Sequence, residues 1–230
     1  MDIHKPKAAH SIREFLIEIG TIVCGILIAL GLEQVVETLH WSEQVSQGDE
    51  RLKSQFLRVV ENAAERDAQA TCIDRRLDEI SALLEKAADT GRLPPVAPIG
   101  AAAEKPWRNV VWESLVAGQV VVHTPSKKAL QYSGIANASS FLADESDREL
   151  DRWTTLKTIE GKGRHLSDVE AESLRITVAG ARAAAARMLR SSQGVMHNIQ
   201  ATGLLSASSF DAAAQRGKIS GAQAQICKAL

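Results

Sequence analysis

The sequence predicts an all-α protein: an N-terminal transmembrane helix, then an elongated helical bundle or coiled-coil-like domain outside the membrane. Three observations carry this. Aromatic residues make up only 4% of the chain while alanine is abundant, a balance that favours helices, because alanine loses no side-chain entropy in a helix and strands draw on aromatic and β-branched residues. An uncharged apolar run lies between Glu18 and Glu33. From Leu52 onward, apolar residues recur in steps of three and four. The 230 residues, 45% apolar, suffice for one domain core plus an anchor. With 27 basic and 28 acidic residues the net charge is −1, so no cationic excess points to a nucleic-acid partner.

The first element is a tail, residues 1–14, expected in the cytoplasm. The run Ile19–Leu32 that follows is fourteen residues long, about 21 Å of helix against a hydrocarbon core of about 30 Å. Phe15, Leu16 and Ile17 before it and Val35 and Val36 after it extend the segment to 22 residues, 15–36, about 33 Å. Glu18, Glu33 and Gln34 interrupt it only near its ends, where side chains reach headgroups and water. A signal peptide cut after Ala29-Leu30-Gly31 is an alternative, but the helical pattern continues through Leu39. A soluble core helix is another, but the segment is apolar on every face rather than along one stripe.

Lys5, Lys7 and Arg13 precede the span, whereas residues 32–50 hold no Lys or Arg and carry Glu33, Glu37, Glu43, Asp49 and Glu50. The positive-inside bias therefore places the N-terminus in the cytoplasm and the bulk of the chain on the far side. Trp41 falls where an indole could mark the far interface. Within the span, Glu18, Thr21, Gly25, Ala29 and Glu33 share roughly one helix face. Thr21, Gly25 and Ala29 make a ladder of small residues that lets two helix backbones approach in lipid. Glu18 and Glu33 are either candidates for a proton- or ion-linked role or carboxylates that snorkel at the two ends.

The run Arg13-Glu14-Phe15-Leu16-Ile17-Glu18, the run Gly25-Ile26-Leu27-Ile28-Ala29-Leu30-Gly31-Leu32-Glu33-Gln34, and Trp41 together resemble the N-terminal anchor of a family of uncharacterised bacterial single-pass membrane proteins. The resemblance covers about thirty residues. It implies a membrane anchor followed by an extracytoplasmic helical region and brings no activity, cofactor or catalytic residue with it; the expected location is the bacterial inner membrane, with residues 37–230 in the periplasm.

In that region Leu52, Phe56, Val59, Ala63, Ala70, Ile73, Leu77, Ile80, Leu84 and Ala87 form a heptad-like stripe interrupted at Arg66, predicting a helix over about 49–90. Gly91, Pro94, Pro95 and Pro98 stop it. The stripe suits a core helix of a bundle or an intermolecular coiled coil. Residues 91–106, rich in Pro, Gly and Ala and without periodicity, read as an irregular surface connection and a candidate crossover between helices. A short helix is predicted over 107–119, with Val120-Val121-Val122 extended as an alternative for the end of this stretch. A helix over about 126–160 follows, with Ser133-Gly134 as a candidate kink. Ser167 and Glu170 form a capping box opening a helix over 167–204. The segment 206–230 is of low hydrophobicity and is expected to be weakly ordered beyond a short helix at Phe210–Gln215.

Of three cysteines, Cys72 and Cys227 would meet an oxidising compartment and are a candidate disulfide; Cys24 lies in the span. No phosphate loop, nucleophile elbow, zinc helix, Cys-x-x-Cys or dinucleotide fingerprint occurs. His4, His10, His40, His123, His165 and His197 are scattered, so no metal or cofactor is expected, nor an enzyme. The expected partners are the lipid bilayer and either a second copy of the chain or an envelope protein. The leading functional reading is a membrane-anchored structural or interaction protein. An accessory subunit of a transporter or ion-driven machine using an intramembrane Glu, and a small-ligand receptor or enzyme without a recognisable motif, are the alternatives.

Overall fold

The computed structural model of the chain describes residues 11–102 and 104–228. Most of the expected tail 1–14, including Lys5 and Lys7, lies outside the described residues. Among them the protein is all-α, with helices α1 (Ile12–Thr90), α2 (Val110–Ala117), α3 (Ser126–Leu156), α4 (Asp168–Thr202) and α5 (Ala207–Ala222). Two strands of two residues each, β1 (Arg92–Leu93) and β2 (Arg164–His165), complete it.

The expected span and the expected heptad helix belong to one helix of 79 residues. Nothing between them breaks it: residues 37–47 contain neither Pro nor Gly. The chain nevertheless divides into two units, one ending at Gln47 and the other starting at Gly48.

In the first unit, Ser11 Oγ accepts a hydrogen bond from Glu14 N at 3.3 Å and opens the helix. Every residue from Ser11 to His40 is exposed. An 18-residue window here has a mean hydropathy of 2.4 and none of it is buried, so α1 contains a stretch long and apolar enough to cross a membrane. The hydroxyls of Thr21 and Thr38 donate to Ile17 O at 2.9 Å and Gln34 O at 2.7 Å, satisfying these polar groups within the helix itself.

In the second unit, the heptad stripe is covered by the chain's own elements. Leu52, Phe56, Val59, Ala63, Ile73, Leu77, Ile80, Leu84 and Ala87 are all buried, so the stripe serves an intramolecular bundle. Ion pairs and hydrogen bonds give the directions. Asp49 and Arg66 of α1 meet Lys128 and Glu149 of α3, which places α3 parallel to α1. Asp67 and Asp78 meet Gln193 and Arg182 of α4, which makes α4 antiparallel. Glu61 meets Arg216 of α5, and α5 continues alongside in the direction of α1.

The segment 91–106 differs from expectation. It forms a strap that returns along α1 and, besides its exposed residues, sends Leu93, Val96 and Ile99 into the core, with Trp107 just after it buried as well. Gly91, at φ +64°, makes the reversal. Leu93 pairs with Arg164 in a two-strand ladder, and Val96 and Gly161 exchange both backbone bonds at 2.9 Å. Three prolines erase a periodicity, but they do not prevent an extended segment from burying side chains.

Residues 120–123 are a 3-10 turn rather than an extended segment, entered through Gln119 at φ 59°. Helix α3 runs unbroken through Ser133 and Gly134 and closes in a 3-10 turn at Lys157–Ile159. Ser167 caps α4 by accepting from Glu170 N at 3.3 Å. Glu170 does not complete the box; its carboxylate is gripped by both terminal nitrogens of Arg164.

The segment expected to be weakly ordered is, over its described residues 206–228, organised: the short helix expected at Phe210–Gln215 is part of a longer one, α5. Ser206 accepts from Ser209 N at 3.2 Å and opens α5. Its Ala213, Gly217 and Gly221, four residues apart, are buried. A Cβ at Gly217 would lie 2.1 Å from Glu61 O and one at Gly221 2.6 Å from Glu65 O. Only glycine permits so close a backbone approach, and apolar content is no guide to a helix held in this way.

Candidate functional site

The buried side chains form two apolar clusters. One gathers Ile73, Leu77, Ile80 and Leu84 of α1 with Trp153, Leu156, Leu174 and Val178. The other gathers Leu52, Phe56, Val59 and Val60 with Tyr132, Ile135, Leu142, Val195 and Ile199. Between these two stretches of α1 lie Asn62, Glu65, Arg66 and Gln69, buried polar residues one to four positions apart and so within reach of one another around a helical turn.

Arg66 Nη2 bonds Glu149 Oε1 at 2.8 Å, with the two side chains 6% and 5% exposed, and also donates to Ala185 O at 3.3 Å. The stripe is thus interrupted at Arg66 because α1 there delivers a cation to a carboxylate on α3. Glu65 accepts from Gln69 Nε2 at 3.1 Å and pairs with Lys105 of the strap at 2.8 Å. Asn62 donates to Pro106 O at 3.4 Å, while Gln55 donates to Arg108 O at 2.8 Å and accepts from Val111 N at 3.1 Å. These amides hold the end of the strap and the start of α2 through backbone groups that lack a strand partner there. On α3, Glu145 is held by Arg187 at 2.8 Å and by Arg148. The Arg187 hydrogen bond, aided by Arg148, outweighs burial and keeps the Glu145 carboxyl below its ordinary range.

Beside this layer a cavity of about 330 Å³ opens between the strap, α1 and α3. Val59, Trp107 and Ala143 contribute apolar walls; Arg58, Lys105, Arg108 and Asp147 contribute charge. The cavity can accept a small group of mixed polarity. The carboxylates of the layer, however, each have a cationic partner, so the arrangement is suited to fixing how the helices align rather than to moving a proton.

A second polar centre fastens the end of the chain. Cys72 of α1 and Cys227 are joined by a disulfide. Arg75 donates to Cys227 O at 2.7 Å. Arg76, 2% exposed, bonds Glu79 at 2.9 Å and donates to Ile99 O and Lys228 O, so one guanidinium clamps both the strap and the C-terminal segment to α1. Ile226 between them is fully buried.

Glu18, Thr21, Gly25, Ala29 and Glu33 are all exposed on α1 in the first unit, and a Cβ at Gly25 would meet nothing within 4 Å. Cys24 is a free, exposed thiol. The alternating charges Asp74, Arg75, Arg76, Asp78 and Glu79 predict a solvated outer face of the helix, but Arg76 is buried, and neither the layer around Arg66 nor the clamp at Arg76 has a clear signature in the sequence. The only signal for the first was a charged residue at a heptad position, and for the second there was none, since its acceptors are backbone carbonyls far along the chain. Among the described residues no group of three or more His, Cys, Asp or Glu is placed to hold a metal ion. Comparison with family models, with curated proteins and with solved structures finds no match to this chain.

Proposed function

We propose that this chain is a single-pass protein of a bacterial inner membrane, with its N-terminus in the cytoplasm and its helical domain in the periplasm, where it acts as an interaction module. The observation that carries the reading is the stretch of α1 in which every residue from Ser11 to His40 is exposed although an 18-residue window has a mean hydropathy of 2.4. Such a surface is unfavourable in water, and lipid is the solvent that suits it. Two further observations support the orientation. Lys5, Lys7 and Arg13 precede the proposed span whereas residues 32–50 hold no Lys or Arg, and the domain's end is held by a disulfide, a bond that persists in oxidising compartments.

The heptad stripe is occupied within the domain, so association with a second copy or an envelope partner falls to other surfaces. The small-residue face of the span is one, with Thr21, Gly25 and Ala29 allowing close helix contact. The test is labelling with a membrane-impermeant maleimide in intact cells, using a Cys24→Ser background. Labelling of Cys72 and Cys227 only after reduction supports the periplasmic placement. Labelling only after lysis overturns orientation and partner class together.

A further inference from the structure

We infer that the tip made by α2, the 3-10 turn and the start of α3 is a second lipid contact, resting on the surface of the bilayer that holds the span. The inference depends on the single-span reading above and adds to it a surface of the domain itself.

The tip is apolar where a domain surface is usually polar. The sequence Val110-Val-Trp-Glu-Ser-Leu-Val-Ala117 forms α2, yet none of its residues is buried. Val110 is 60% exposed, Val116 50%, Val122 80% and Leu130 74%. Among the described residues these four fall within 21 residues of sequence, while Val169 and Ile176 form a separate exposed apolar pair on α4. A clustered apolar surface of this kind marks a contact with a protein or a membrane.

Position chooses between the two. The Leu115 side chain packs over Gly48, and Lys128 and Tyr132 reach Asp49, so the tip is built on the first residues of the domain. Gly48 follows Val36, the end of the proposed span, by twelve residues, so only a short tether of chain separates the two. A tether of that length holds this end of the domain close to the headgroup layer. Lys127 and Lys128 flank the apolar residues and are exposed; their long stems allow the ammonium groups to meet lipid phosphates while Val122 and Leu130 settle among the headgroups. Lys128 shares its charge with Asp49, which leaves Lys127 as the principal cation.

The test uses the full chain in lipid nanodiscs, with an environment-sensitive fluorophore on Val122→Cys in a Cys24→Ser background and spin-labelled lipids carrying a quencher near the headgroups for position 122 or deep in the acyl chains for position 24. The Cys72–Cys227 disulfide stays intact. The same fluorophore on native Cys24 reports the span, and one on Ile176→Cys reports an exposed apolar site elsewhere on the domain. We expect loss of emission at 122 and at 24 in quencher-bearing discs, and none at 176. Quenching at 24 without quenching at 122 overturns the lipid contact and leaves the span standing. A blue shift at 122 that quencher lipids do not touch also overturns it, assigning the tip to a second copy of the chain. Absence of quenching at 24 overturns the span and, with it, the contact.

Discussion

Two stretches of α1 share one helix and have opposite requirements. Residues 19–32 are uncharged and apolar on every side, and lie wholly exposed; residues 52–87 are apolar along a stripe, and that stripe is buried. Backbone geometry is common to both, so what separates them is the distribution of apolar side chains around the axis. A stripe can be covered by three neighbouring helices and a strap. A fully apolar cylinder needs a surrounding solvent of its own kind, and for the first stretch that is proposed to be lipid.

The comparison is tested most severely at the one charged residue that interrupts the buried stripe. Glu149→Ala should leave Arg66 buried without its carboxylate and cost about 3–5 kcal/mol, measured by urea unfolding of the detergent-solubilised chain. Replacing both, Arg66→Met with Glu149→Leu, should recover most of that loss. If the single variant unfolds as the wild type does, the layer does not bear on stability. Removing the disulfide with Cys72→Ser and Cys227→Ser should cost about 2–5 kcal/mol in the same assay, and the loss should appear in the wild type when reductant is added.

The exposed stretch should fail differently. Ile26→Lys places a charge midway along the span and should disfavour insertion by about 3 kcal/mol, read as a shift of the chain from the membrane to the soluble fraction. The same exchange at exposed Ile176 should leave the distribution unchanged, and equal behaviour at both positions would remove the distinction between the two solvents. Gly217→Ala pushes a methyl toward Glu61 O on α1 and should destabilise by about 1–3 kcal/mol, whereas Gly194→Ala, where a Cβ meets nothing within 4 Å, should not. The smallest effect concerns pH. Glu145 is held below its ordinary value of 4.5 by Arg187 and Arg148, so the folded state binds its proton less readily than the unfolded one. Its contribution is complete above pH 4.5 and is lost as pH falls through the lower folded value. Glu145→Gln should therefore lower stability at neutral pH, change it little below the folded value, and so flatten the acid side of the profile, read from urea unfolding at a series of pH values.

What the sequence revealed follows the same division. Periodicity announced the helices, and composition announced the apolar segment, because both are local averages. Leu93, Val96 and Ile99 could not be assigned to the core from an aperiodic, proline-rich segment, since their burial depends on a reversal at Gly91 and on Gly161 a long way along the chain. Of helix α5 only the part Phe210–Gln215 was legible, and the rest was hidden for another reason: Gly217 and Gly221 pack through missing side chains, which a count of apolar residues treats as absence of a core. Arg66 was visible as an irregularity, but its meaning required Glu149, 83 residues later. The cavity beside the strap was likewise illegible, being assembled from three elements that only the fold brings together.

The disulfide has a consequence for processing. Cys72 and Cys227 stand 155 residues apart, and the strap, α2, α3, α4 and α5 all lie within the covalent ring they close. A protease that cuts once anywhere in that ring opens a loop without releasing a fragment, because both new ends remain attached through one cysteine or the other. Shedding the domain requires either a cut before Cys72 or two cuts within the ring, so a nicked copy would migrate as a single species until it is reduced.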